Sequence, residues 1–260
     1  MNENANDGAP VVNKIPKIIH QIWYQGSQDL SEKYKIYQEK WQANHPEWDY
    51  RFWDETAIRE FLNERHPWFT KYFDEYEIDM QRINAARYFI LSTFGGFFFD
   101  MDMESIKPID ELMGDHELIL SRSVGFNNAV VGTVPGHPFW QELIEKLVER
   151  RTRPPLTLTT WRHRRLAYHN TKSAGARFFT DCVNESRIYD KPGVKCYPAN
   201  YFEPGSPTIE DGEVVLSKQD ENTFVRHDMD MKWLPPFDQF TNKLFKPAFN
   251  MFWFFRKITK

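Results

Sequence analysis

Hydrophobic and polar positions along this chain fall into short blocks whose periods switch between strand and helix. From Ile15, IPKIIHQIWY is short and β-branched and predicts a buried strand. Ser31 then opens a helix to about Ala43. WDYRFW predicts a second strand, and Asp54 behind it is a good N-cap for the helix that follows. Pro67 starts another helical piece. Residues 79–94 give the clearest helix, with Ile83, Ala86, Ile90 and Phe94 near helical spacing on one apolar stripe; Gly95 and Gly96 stop it. GFFFD reads as an aromatic strand that ends in charge. ELILS, NAVVGTV, VKCYP and TFVRH predict further strands, and residues 138–151 and 174–184 further helices. This alternation favours an α/β fold with a mainly parallel central sheet flanked by helices. There is no internal repeat or low-complexity linker, and the prolines at 154–155, 204–207 and 235–236 mark loops. The expected organisation is a disordered stretch over residues 1–13, rich in Asn, Asp and Gly. A single domain over 14–236 and a basic-aromatic helical segment over 237–260 follow it.

Composition narrows this picture. A chain of 260 residues is enough for one substantial core. The 22 Phe and 9 Trp supply flat surfaces for packing or for stacking on ligand rings. A net charge of -4 argues against a nucleic-acid binder and leaves small-molecule chemistry open. Cys182 and Cys196 make neither a disulfide framework nor a zinc cluster, so reduced thiols in a cytoplasmic protein are expected. MNENANDGAPVVNK lacks the apolar core of a signal peptide, and no run of eighteen apolar residues occurs. The C-terminal NKLFKPAFNMFWFFRKITK mixes Phe and Trp with Lys and Arg and has no acid. It reads either as a segment in peripheral contact with a membrane interface or as a closing helix packed on the core. The basic tracts ERRTR and WRHRR read as a solvated face, or as a contact for anionic lipid or phosphate.

The candidate chemistry centres on GGFFFDMD at 95–102. A strand packed on both faces is a continuous apolar run, and here it runs straight into two carboxylates. If the strand continues, Asp100 and Asp102 project to the same face with roughly 7 Å between Cα atoms. That spacing suits a shared divalent ion, and oxygen ligands select Mg²⁺ or Mn²⁺. The pair also sits at the carboxyl end of a strand, where open α/β sheets bind ligands. An Asp-x-Asp tripeptide alone is weak evidence. Its frame adds the weight: a helix bearing Arg87, a paired-glycine stop, an aromatic strand, then the acids.

The run RINAARYFILSTFGGFFFDMD resembles the DXD sugar-binding region of family 32 glycosyltransferases, which include initiating α-1,6-mannosyltransferases, inositol phosphorylceramide mannosyltransferases and bacterial capsular sugar transferases. IPKIIHQIWYQG is similar to the opening strand of that family, WDYRFWDE to its next strand, and FNNAVVGTVPGHPFW to a later block. The resemblance covers about residues 15–235. It implies a GT-A-like fold, a nucleotide diphosphate sugar donor (GDP-mannose or a UDP-hexose), Mn²⁺ or Mg²⁺, a glycan or glycolipid acceptor, and retention of anomeric configuration.

The resemblance also assigns roles. Asp100 and Asp102 hold the metal and, with Arg87, form the catalytic set. Arg87 and Asn84, three apart on one helix face, contact the donor sugar, with Asn84 standing where the family carries Asp. A structural alternative for Arg87 is pairing with Asp100 or a helix end, since an Arg in an apolar helix needs a partner. Trp23 lies beside the base, where stacking contributes ~1–3 kcal/mol; Gln21 alternates onto its face and is a further candidate for nucleotide-sugar contact, with a structural role, as for His20, the favoured alternative. Asn128 lies near a sugar, and His227 completes the metal site or, alternatively, is satisfied at a strand end. Trp233 fits the late His…Trp motif, and Lys232 stands where a Ser is usual and points to phosphate. SAGARFF at 173–179 puts small residues before a helix, where backbone N–H groups meet anionic oxygen; Ala176 replaces the family's Pro. Two other readings use the same residues, a metal-dependent phosphohydrolase and a non-catalytic nucleotide-sugar-binding protein. The first calls for more clustered carboxylates and histidines than this chain has, and the intact acid pair speaks against the second.

Overall fold

The computed structural model describes residues 14–151 and 166–230. In chain order the elements are β1 (Ile18–Ile22), α1 (Glu32–Asn44), β2 (Asp49–Trp53), α2 (Glu55–Arg65), α3 (Thr70–Asp74), α4 (Asp79–Phe94) and β3 (Gly96–Phe99). There follow β4 (Met103–Ser105), α5 (Asp110–Met113), β5 (Leu118–Arg122), β6 (Phe126–Thr133), α6 (Pro138–Glu149), α7 (Leu166–Ser173) and α8 (Ala176–Ser186). The last are β7 (Val194–Pro198), β8 (Pro207–Glu210), β9 (Glu213–Leu216) and β10 (Val225–His227). The ten segments with strand or helix patterns between 15 and 151 form as expected. Five elements had no expectation, namely β4, α5, α7 and the two strands of the β8–β9 hairpin.

The central sheet runs β2-β1-β3-β6-β5-β7. β1 pairs parallel with β2 and β3, and β5 with β7. β6 runs against both of its neighbours. The sheet is thus mainly parallel, as expected, with one reversed strand.

Alternation along β3 divides the core. Phe98 joins the cluster built by α4, α6 and α8, including Tyr88, Trp140 and Phe178. Phe97 and Phe99 join Ile19, Trp41, Met103 and Phe224 on the opposite face. Both sides of the strand are covered, which is why its sequence is an unbroken aromatic run. The expected apolar stripe of α4 is wider than its spacing suggests, because residues 84–91 are all buried. Its stop is steric. Gly95 and Gly96 sit at φ 64° and 83°, and a Cβ on Gly96 would lie 2.6 Å from the Ile18 carbonyl oxygen. Asp54 caps α2 as expected, accepting from the Ala57 N–H at 2.8 Å. Both cysteines are free thiols. Among the described residues no helix is long and apolar enough to cross a membrane. Residues 1–13, the tract WRHRR, Thr152 and Arg153 of ERRTR, and the segment 237–260 lie outside the described residues.

Candidate functional site

β3 ends at Phe99, so Asp100 and Asp102 stand in a turn and not on a continued strand. The Asp100 N–H donates to the Ala129 carbonyl at 3.0 Å and the Met103 N–H to the Asp100 carbonyl at 3.1 Å, after which the chain re-enters as β4. The turn brings the two acids together by folding back, where the alternation argument relied on pleat. β10 pairs antiparallel with β4, placing His227 opposite Met103. His227 Nε2 lies 3.3 Å from Asp102 Oδ1. One ligand atom each from Asp100, Asp102 and His227 lie within 4.8 Å of one another.

The environment tunes these groups apart. Burial raises the Asp100 carboxyl above the usual carboxylate range, more than the Arg87 charge lowers it. Burial also works to raise Asp102, but the His227 hydrogen bond and charge and the Asp230 N–H outweigh it and hold Asp102 low. For His227, burial favours the neutral ring, yet the hydrogen bond and charge of Asp102, with Asp100 behind it, raise it overall.

Two carboxylates and an imidazole are a donor set for a hard or borderline divalent ion. Their spacing admits one ion in contact with all three. Arg87 occupies Asp100 Oδ1, and Asp100 Oδ2 has no protein donor among the described residues. His227 Nδ1 is buried without a partner. The residues therefore fit a resident metal.

A cleft of about 480 Å³ opens over this cluster. Arg87, 1 % exposed, forms one wall. It donates to Asp100 Oδ1 at 2.6 Å and to the Asn128 carbonyl, and its guanidinium lies 4.2 Å from the Phe98 ring centre. The structural alternative for Arg87 is thus present, and the side chain lines the cleft as well. Beside it Asn84 accepts from Asn128 Nδ2 at 3.0 Å and donates to Asn170 Oδ1 at 3.4 Å, and Asn128 Nδ2 also donates to the Tyr88 hydroxyl at 3.0 Å. Asn170 and Thr171 come from α7, with Gly175 and Ala176 at the start of α8. The small residues of SAGARFF thus reach the cleft, as expected. Asn170 was not anticipated. Nothing in its local pattern marks it, because it reaches the cleft only through the packing of α7 against α4 and α8.

Trp23 follows β1 and lines the far end of the cleft with Ile22, Gln25 and Tyr34. Its ring centre is 5.3 Å from that of Tyr34, and its Nε1 is buried without a partner. Gln21 requires a correction. It is fully buried and does not line the cleft. Its amide donates to the Asp100 carbonyl at 3.2 Å and accepts from the Tyr50 hydroxyl at 2.6 Å. Its amide braces the acid turn against β2. Lys232 and Trp233 lie outside the described residues.

Residues 31–119 match the family model described as "Glycosyltransferase sugar-binding region containing DXD motif". Mannosyl phosphorylinositol ceramide synthase SUR1 of Saccharomyces cerevisiae is 35% identical over 149 residues, covering 56% of this chain and 38% of that protein. Inositol phosphoceramide mannosyltransferase 2 of Schizosaccharomyces pombe is 36% identical over 149 residues, 56% of this chain and 41% of its own length. An initiation-specific alpha-1,6-mannosyltransferase of Candida albicans is 25% identical over 241 residues, 81% of this chain and 58% of that protein. The chain therefore spans about two fifths of the length of the first two relatives. Among solved structures, the UDP-bound glycosyltransferase domain from the YGT toxin aligns with a TM-score of 0.50 at 9% identity, covering 72% of this chain and 80% of that one. Its ligand-free form aligns equally, at 10% identity. These two likenesses bear on the fold, which is GT-A-like α/β.

Proposed function

We propose that this chain, which carries a glycosyltransferase sugar-binding region, transfers a hexose from a nucleotide diphosphate sugar to a glycan or glycolipid acceptor with metal assistance and retention of configuration. The observation that carries the reading is the meeting of Asp100, Asp102 and His227 on the floor of a cleft walled by Arg87. The names of the two yeast relatives above favour mannose from GDP-mannose and an inositol phosphoceramide acceptor; UDP-hexoses are the alternative donors.

In this reading Asp100, Asp102 and His227 hold Mn²⁺ or Mg²⁺. When bound, such an ion offsets the negative charge that develops on the leaving diphosphate. Arg87 grips and orients Asp100. Asn84, Asn128 and Asn170 offer amide donors and acceptors to sugar hydroxyls, and Trp23 offers a stacking face to the base. Among the described residues each carboxylate that lines the cleft has a protein partner: Asp100 has Arg87, Asp102 has His227, Asp79 has Arg82, and Asp230 has Lys33 and Tyr34. This accords with a front-face displacement in which the leaving phosphate takes the acceptor proton. Peripheral membrane contact through residues 237–260 belongs to the same proposal, and co-sedimentation with liposomes, with and without residues 240–260, tests it.

The decisive experiment is release of nucleotide diphosphate from a panel of GDP- and UDP-sugars with Mn²⁺ and with α-mannosides or inositol phosphoceramide as acceptors. Sugar transfer is expected with wild type and is lost in Asp102→Asn. Turnover of simple phosphate esters, or nucleotide-sugar binding without transfer to any acceptor, overturns the proposal.

A further inference from the structure

Beyond His227 the chain carries two carboxylates that the chemistry above leaves unused. Asp228, Met229 and Asp230 form a strap that leaves β10 along the rim of the cleft, where Met229 and Asp230 line it. The Asp228 N–H donates to the Asp102 carbonyl at 3.0 Å, and the Asp230 N–H to Asp102 Oδ2 at 2.7 Å. The strap thus supplies one of the bonds that orient the Asp102 carboxylate, and its first residue follows directly on His227.

The backbone of the strap is not self-supporting. Met229 sits at φ 53°, a left-handed conformation that costs a non-glycine residue about 1–3 kcal/mol and persists only when its surroundings impose it. The restraint comes from α1, about 195 residues earlier in the chain. Lys33 Nζ lies 2.6 Å from Asp228 Oδ2 and 2.9 Å from Asp230 Oδ2. Tyr37 donates to Asp228 Oδ2 at 2.7 Å, and Tyr34 to Asp230 Oδ2 at 2.8 Å. Both carboxylates converge on one ammonium from either side of the strained residue. Burial acts against the Lys33 charge, yet the two acids hold its pKa above the ordinary lysine value. With the ammonium removed, two like charges would face each other beside the already acidic Asp100–Asp102 turn, and the strap would lose the cation that joins its two acids across Met229.

We propose that Lys33 is a positioning residue for the acid–imidazole centre: by bridging Asp228 and Asp230 it latches the strap, and so keeps the Asp230 N–H on Asp102, and His227 beside it, in the arrangement that takes a divalent ion. The inference rests on the reading of that centre given above. Lys33 acts through the strap and does not touch the reacting atoms. Groups that orient metal ligands from behind contribute on the order of 10–100-fold to metal affinity.

The test is Mn²⁺ titration of the full chain followed by electron paramagnetic resonance, with calorimetry of GDP and UDP binding in the presence of Mn²⁺. Lys33→Met is expected to weaken Mn²⁺ binding about tenfold or more, and Lys33→Arg to recover most of that loss. Tyr37→Phe leaves the charge unchanged, and is expected to weaken Mn²⁺ binding about threefold, which separates positioning from the net field. Melting temperatures without the ion should move by less than about 3 °C, because the Lys33 side chain is 39% exposed and its ion pairs are partly screened. Mn²⁺ binding in Lys33→Met as tight as wild type, or tighter, overturns the inference while leaving the site reading intact. Failure of wild type itself to bind Mn²⁺ removes the site reading, and this inference with it.

Discussion

Replacing Arg87 with methionine keeps a long side chain in place and deletes its charge. Arg87 is buried, grips Asp100 at 2.6 Å, holds the Asn128 carbonyl and lies over Phe98. Removing one partner of a buried ion pair costs about 3–5 kcal/mol, because the other charge stays in the protein without compensation. The Asp100 side chain keeps 31% of its surface toward the cleft, so water reaches part of the stranded carboxylate. That places the expectation at the lower end, about 3 kcal/mol, or a fall in melting temperature of about 6–12 °C for a domain of this size. Asp100→Asn in the same background removes the stranded charge. The double variant should therefore be less destabilised than the two single changes added together, by about 1–2 kcal/mol. Urea unfolding of the four proteins, without divalent ions, closes the cycle. Strict additivity, or a cost of less than about 1 kcal/mol for Arg87→Met, would refute the claim that this pair organises the floor of the cleft.

Two further predictions concern the frame. His20 is buried, with Nε2 on the Gly95 carbonyl at 2.9 Å and Nδ1 accepting from Trp53 at 3.1 Å, and burial pushes it down to about 3. Below about pH 6.5 the unfolded chain takes up a proton there that the folded chain refuses, so this stability is present above that pH and is lost as pH falls. The loss is ~1.4 kcal/mol per unit, ~2 kcal/mol by pH 5. Unfolding free energies measured between pH 7 and 5 should fall less steeply in His20→Gln than in wild type, and equal slopes would contradict the assignment. Gly96→Ala adds a Cβ 2.6 Å from the Ile18 carbonyl at φ 83°. It should cost about 2 kcal/mol or more in urea unfolding, and a neutral substitution would mean that β1 and β3 are not held this close.

Much of the frame was legible in the sequence because its cause is local. β3 is an unbroken aromatic run because both of its faces are packed, and α4 ends where two glycines adopt positive φ. Strand direction is not written in periodicity, so the reversal of β6 had no signal in NAVVGTV. The β8–β9 hairpin did carry one: Asp211 and Gly212, at φ 47° and 83°, are an Asp-Gly pair that favours a tight hairpin turn. In the site, Asp100, Asp102 and Arg87 could be read together because they are close in the chain. His227 was accessible through its strand pattern. Gln21 takes the structural one of its two readings, since alternation gives the face of a strand but not whether a buried tyrosine already holds the side chain. Asn170 and the Lys33 latch depend on packing between distant segments, and no window of sequence contains both halves.

The pairing of β10 with β4 also has a consequence in time. The acids at 100 and 102 leave the ribosome long before His227, which is encoded 125 positions after Asp102. At about 5–20 residues per second, that interval lasts roughly 6–25 s. During it the acid turn and the latch residues of α1 exist without the imidazole or the strap. Vectorial synthesis therefore delays completion of the acid–imidazole cluster until nearly all of the described chain has emerged, and the nascent protein lacks one of its three members while its sheet is still assembling.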